Sequence, residues 1–243
     1  MTSSPVAFLP VTFDQHGFFH LDTSQSDYVG YRPDTYSSTT PISLLVWMHG
    51  CEGQAEGDLW NVAPFPDRAS QSYIAISLGG RDFVPGTNDG CWKPGEDGPK
   101  LLEAVKDVQR YFNINPRKVY VGGYSSGGDM AYRHGFENAG MFAGILAENS
   151  DPFRDTGSTA DELIKAASWR INVAHLAHTE DDNYHIDDVR ASIEKLTSNG
   201  FPVILIEKHG THSDPDDPGK GTGTVHDLVE FLLPFLDKGW VSP

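Results

Sequence analysis

The chain has 243 residues, 38% apolar and 21% charged, enough to bury a core without metals or staples and too apolar for wholesale disorder. Its 34 acidic and 18 basic residues give a formal net charge of −16, which argues against nucleic acid and anionic membrane surfaces as partners, since both need clustered Lys and Arg. No apolar run approaches a membrane span; the best are Leu44 to Met48 and Val203 to Ile206.

In chain order, residues 11–33 alternate enough to predict two antiparallel strands, Phe18–Leu21 and Tyr28–Arg32. The first ten residues, MTSSPVAFLP, lack a basic region and a long apolar stretch, so the expectation is a chain without a secretory signal, cytoplasmic as written and secreted if a signal was removed. Ser43–His49 is a continuous apolar run that reads as a buried strand, and Ser72–Ser77 is a second. Gly79–Gly98, rich in Gly, Pro and Asp, is expected to be a loop. Leu101, Val105, Val108 and Phe112 share one helical face, and Val119–Gly122 is the next strand.

The alternation continues to the end. Phe142–Ala147, Ile171–Ala177 and Val203–Glu207 are predicted strands; Thr159–Ser168 and Asp187–Ser198 are predicted helices. Val225, Leu228, Val229, Leu232 and Leu236 mark a last amphipathic helix that Pro234 kinks or ends. No repeat or linker divides the chain, so residues 1–243 read as one α/β domain: a mostly parallel sheet, antiparallel at its N-terminal strands, with helices on both faces. Such sheets bind ligands outside the carboxyl ends of their strands, which selects the residues just after each apolar run.

After Val119–Gly122 comes Gly123-Tyr124-Ser125-Ser126-Gly127, then a helix-like stretch. In a chain with 25 glycines the pentapeptide alone is a weak signal; the strand before and helix after it make it a serine held at a sharp turn. A serine hydroxyl needs an imidazole to take its proton and a carboxylate to orient that imidazole. Asp181 and Asp182 follow the Ile171 strand, and His209 and His212 follow the Val203 strand. Ser125 is therefore the candidate nucleophile, Asp181 the preferred acid with Asp182 second, and His212 the preferred base. His209 and His226 are weaker alternatives. Ser126 and Cys51 are the candidate backbone donors to a developing oxyanion, and Trp92 and Tyr124 are candidate substrate contacts.

Cys51 and Cys91 are either joined, which would stiffen the loop after Ser43–His49, or are two buried thiols. Two cysteines without clustered ligands argue against zinc, and the acidic stretch 214–223 lacks the Glu spacing of an EF-hand and reads as a solvated loop. No metal or cofactor is expected. Composition leaves the oligomeric state open.

With these residues assembled, the chain resembles the poly(3-hydroxybutyrate) depolymerase and feruloyl/acetyl-xylan esterase group of α/β-hydrolases. His49-Gly50-Cys51 is similar to that group's oxyanion loop, Cys91-Trp92 to its Cys-Trp element, Asn115 to Gly128 to its serine elbow, and Gly210 to Pro215 to its histidine loop. The resemblance spans about residues 42–236 and implies an α/β-hydrolase fold, Asp181 as the acid, and hydrolysis of short-chain or aromatic esters: feruloyl, acetyl-sugar or hydroxyalkanoate-oligomer. Acyl transfer, peptide hydrolysis and a non-catalytic binding role are the other readings. Two segments depart from the group. Ala177-His178-Thr179-Glu180-Asp181 lacks the usual Gly after its His, and Ser77 to Arg81 lacks the usual Pro-rich pattern.

Overall fold

The structure is a computed structural model that describes residues 8–62, 72–80, 90–154 and 157–213. The expected C-terminal helix at Val225 to Leu236, the acidic stretch 214–223 and His226 lie outside these residues. Eight strands form one sheet: β1 (Phe18–Asp22), β2 (Asp27–Tyr31), β3 (Ile42–Met48), β4 (Tyr73–Leu78), β5 (Ile114–Tyr124), β6 (Gly144–Glu148), β7 (Asn172–His178) and β8 (Val203–Lys208). Their order is β1-β2-β4-β3-β5-β6-β7-β8. β1 with β2 and β2 with β4 pair antiparallel, and every other pair is parallel. This is the expected architecture, and it is the α/β-hydrolase fold.

Among the described residues five helices connect the strands: α1 (Ala55–Val62), α2 (Pro94–Val108), α3 (Ser126–Glu137), α4 (Ala160–Ala166) and α5 (Ile186–Ser198). The period of two in a strand sends alternate side chains to opposite faces. In β3, Leu44, Val46 and Met48 join the core cluster shared with α2, α3, α4 and α5, while Leu45 and Trp47 join a second cluster with Leu59 of α1. A strand buried on both faces has to be apolar throughout, which is why β3 shows no polar alternation.

Three elements differ from expectation. α2 begins at Pro94, inside the stretch expected to be a loop. Pro at its first position needs no N–H partner, and Asp97 accepts the Lys93 N–H at 2.9 Å. Pro99 also lies within this helix, where buried Leu101, Val105 and Val108 hold the turn against the sheet. β5 starts at Ile114, five residues before the apolar run at Val119, because Ile114 pairs with Ile42 across an irregular step that accommodates Pro116. α1 was not expected at all: eight residues are too few for a periodic signal, and its anchor is Leu59, fully buried.

Candidate active site

Ser125 is the single residue between β5 and α3, with φ 54° and ψ −124°. A non-glycine residue rarely adopts a positive φ, so the turn has to be held from outside. The Ser125 N–H donates to the Glu148 carbonyl at 2.9 Å, and its carbonyl accepts from Gly128 at 2.9 Å and Asp129 at 3.1 Å. The flanking glycines let the backbones approach. A Cβ on Gly123 would lie 2.4 Å from the Gly127 carbonyl carbon, and one on Gly127 2.1 Å from the Met48 carbonyl oxygen.

Three strand ends converge here. His212 Nε2 lies 3.0 Å from Ser125 Oγ, and His212 Nδ1 lies 2.8 Å from Asp181 Oδ2. The other Asp181 oxygen accepts the N–H groups of Asn183 at 2.8 Å and Tyr184 at 2.9 Å. Burial pushes the Asp181 carboxyl up, but the hydrogen bonds from His212, Tyr184 and Asn183 outweigh it and hold the group below its ordinary value of 3.8. Asp181 is thus an anion placed to accept Nδ1–H of His212. That tautomer leaves Nε2 as the acceptor for the serine proton.

The alternatives lie apart from Ser125. Asp182 is exposed, and the His209 side chain, 84% exposed, pairs with Glu180 at 3.1 Å. The strand end carries His209 outward, and only the turn beyond it brings His212 back over the sheet.

A cleft of about 570 Å³ opens over Ser125, lined among others by Cys51, Trp92, Tyr124, Ser126, Arg154 and Tyr184. Ser126 opens α3, so its N–H has no acceptor within the helix. Among the described residues neither it nor the Cys51 N–H finds a backbone partner. Cys51 and Cys91 are joined by a disulfide. The neighbouring Glu52 N–H donates to the Gly90 carbonyl at 3.1 Å, and the Trp92 indole N–H donates to the His49 carbonyl at 2.8 Å. Three links therefore tie the loop after β3 to the start of α2. Trp92 is only 4% exposed, so most of its ring packs inside the wall of the cleft. Tyr124 also reaches the wall, where its hydroxyl donates to the His212 carbonyl at 2.7 Å.

Two positions carry contacts that sequence reasoning did not single out. Asn149, at the end of β6 with φ 42°, donates to the His212 carbonyl at 2.8 Å and accepts from the His178 N–H at 3.0 Å. Tyr184 stacks on His212 with ring centroids 5.5 Å apart, and its hydroxyl donates to Asp129 at 2.7 Å. Asn149 had no sequence signal. Tyr184 had a faint one, three residues past the candidate acid.

No family model matches the chain. A search of curated proteins finds an acetylxylan esterase of Coprinopsis cinerea, 27% identical over 143 residues, which are 51% of this chain and 37% of that protein. The chain thus spans little more than a third of that relative's length. Among solved structures, an esterase of Thermogutta terrifontis superposes with a TM-score of 0.65 at 14% identity, covering 89% of this chain and 89% of that one. A fluorophosphonate-binding serine hydrolase of Staphylococcus aureus gives 0.64 at 12% identity, over 81% of this chain and 91% of that one. The acylaminoacyl peptidase of Pyrococcus horikoshii gives 0.65 at 14% identity, over 90% of this chain but 41% of that one. By its sheet, its serine elbow and these neighbours the chain is an α/β-hydrolase in fold, and in sequence it is similar to an acetylxylan esterase.

Proposed function

We propose that this protein is a serine esterase that cleaves short-chain or aromatic esters through an acyl-enzyme. The observation that carries the reading is the continuous chain from Ser125 Oγ through His212 to Asp181, with links of 3.0 and 2.8 Å. In the proposed cycle Ser125 attacks the ester carbonyl while His212 Nε2 takes its proton. The tetrahedral oxyanion is held by the N–H groups of Cys51 and Ser126. Collapse breaks the ester C–O bond, and His212 returns the proton to the leaving alcohol. Water then attacks the acyl-enzyme with His212 again as base, releasing the acid and regenerating Ser125.

The size of the cleft and its placement over the nucleophile suit a small acyl group and its alcohol. The peptidase reading shares the same groups, and the acylaminoacyl peptidase neighbour favours keeping it as the second. A matched pair of p-nitrophenyl acetate and acyl p-nitroanilide substrates separates the two. The proposal expects an ester burst with little anilide cleavage, fluorophosphonate labelling of Ser125, and loss of all but a few per cent of turnover in a folded Ser125→Ala variant. Retained turnover in that variant overturns the assignment.

A further inference from the structure

We infer that Tyr184 is a positioning residue whose ring, anchored through its hydroxyl on Asp129, stabilises the His212 imidazolium formed as Ser125 attacks. The inference rests on the serine-esterase reading above.

Tyr184 touches the site at several points. Its N–H donates to Asp181 Oδ1 at 2.9 Å, and its ring lies 5.5 Å from the His212 ring with only 19° between the planes. Its hydroxyl donates to Asp129 Oδ2 at 2.7 Å. Asp129 stands one turn into α3 from Ser125, is 2% exposed, and accepts the Asp151 N–H on its other oxygen at 3.1 Å. The Arg154 guanidinium lies over the Tyr184 ring at 4.5 Å and donates to the Asn183 carbonyl. A tyrosine pinned from α3, from the loop after β6 and from the acid loop is costly to arrange for space-filling alone, because Phe would fill the same volume without needing a buried carboxylate.

The chemistry gives the arrangement a use. Burial and the neighbouring Asp129 carboxylate push the Tyr184 phenol well above its ordinary range, so it remains a neutral donor. Donation to a carboxylate enriches the phenol in electron density and makes the ring face more negative. A neutral imidazole against that face gains little, whereas an imidazolium gains a cation–π attraction. The gain is realised only once the serine proton has moved, so it lowers the barrier without tightening substrate binding.

Other charged or titratable groups bear on the same imidazole. Asp181 contacts it directly from the loop after β7. Tyr124, from β5, lies 5.1 Å away between ring centroids and is itself influenced by Glu148 at the end of β6. Arg154 opposes the imidazolium, and Asp129 acts on it through Tyr184. Of these, the Asp129–Tyr184 pair can be altered while Ser125, His212 and Asp181 themselves stay unsubstituted.

The test compares wild type with Tyr184→Phe, Tyr184→Leu and Asp129→Asn in p-nitrophenyl acetate hydrolysis as a function of pH, with melting temperatures and fluorophosphonate labelling. Tyr184→Phe should lower kcat roughly three- to tenfold with KM little changed, and Tyr184→Leu should lower it further, about ten- to thirtyfold. In both, the acid limb of kcat/KM should move to lower pH by roughly half a unit, because the protonated imidazole has lost its partner. Asp129→Asn should resemble Tyr184→Phe and carries the test if the leucine variant does not fold. A lower plateau with an unmoved acid limb means a merely structural role and overturns the inference, as do variants that keep wild-type rates. A wild type that neither turns over the ester nor takes the label removes the underlying reading and this inference with it. A labelled, active wild type with unaltered variants overturns this inference alone.

Discussion

Asn149 shows how much of the site depends on residues that never meet the reacting atoms. Its side chain spans two strand ends: the amide donates to the His212 carbonyl, and its oxygen accepts from the His178 N–H and faces His178 Nδ1 at 2.9 Å. Asn tolerates the left-handed φ of 42° better than most residues do. Asn149→Ala removes these bonds from a position 1% exposed, and of the two side chains that donate to the His212 carbonyl among the described residues only Tyr124 is left. We expect kcat to fall by about ten- to a hundredfold with KM nearly unchanged, since a small misplacement of the base weakens proton transfer more than binding. Stability should fall by roughly 1–3 kcal/mol. A variant with wild-type kcat would show that His212 is held without Asn149. Asn149→Asp separates the two functions, because a carboxylate can still accept from His178 but has no N–H for the His212 carbonyl.

Among the elements, the junction of β5 and α3 tolerates least. Gly127 lies against backbone rather than side chain: a Cβ there meets the Met48 carbonyl oxygen at 2.1 Å and the His49 carbonyl oxygen at 2.5 Å. Neither can rotate away, so Gly127→Ala has to push α3 off the end of β3. A loss of roughly 3 kcal/mol or more, together with loss of activity, is expected. Gly57 in α1 gives the opposite case, since among the described residues a Cβ there meets nothing within 4 Å. Gly57→Ala should stabilise the protein by about 0.5–1 kcal/mol through helix propensity alone. Denaturant melts of the pair test the contrast, and equal effects would contradict the packing at the elbow. The same junction shows why motif reading worked here: the glycines at 123 and 127 are required by local geometry, which sequence spacing reports directly. α2 shows the reverse. Its first residues are Pro, Gly and acidic, loop-like by composition, and the helix starts there because its later apolar face has a sheet to pack on.

For the whole molecule, the buried histidines His175 and His134 weaken the fold in acid, against the opposite contribution of Asp58 and Asp151, whose carboxyls burial pushes up. His175 is fully buried in β7, accepts the Tyr132 hydroxyl on Nδ1 at 2.7 Å, and its Nε2 has no partner among the described residues. Burial lowers its pKa from 6.5 to about 3. Between those values the unfolded chain binds a proton that the folded chain refuses, so stability falls as pH falls, by up to about 1.4 kcal/mol per pH unit. His134 acts in the same direction, because burial outweighs its bond to the Pro94 carbonyl and the nearby Glu137. Asp181, held below 3.8, contributes stability that is lost only as pH falls below about 3.8, so it does not act between pH 7 and pH 5. The melting temperature should therefore drop between pH 7 and pH 5, and His175→Gln should make that drop shallower while still accepting from Tyr132. An identical slope in the variant would exclude His175 as the cause.

The alternation of strands and helices apart from α1, the serine at its turn and the candidate acid and base could be read before any coordinates, because each depends on local rules: apolar period, glycine at a tight turn, and position just after a strand. Asn149, Tyr184 and Asp129 could not. Their roles exist only where the ends of β5, β6, β7 and β8 meet, and residues 22 to 63 positions apart in the chain carry no local mark of being neighbours. The Cys51–Cys91 bond stood between the two kinds, since sequence left pairing open and the approach of the loop after β3 to the start of α2 decided it. Local chemistry therefore named the candidate groups, and the packing of distant segments chose what holds them in register.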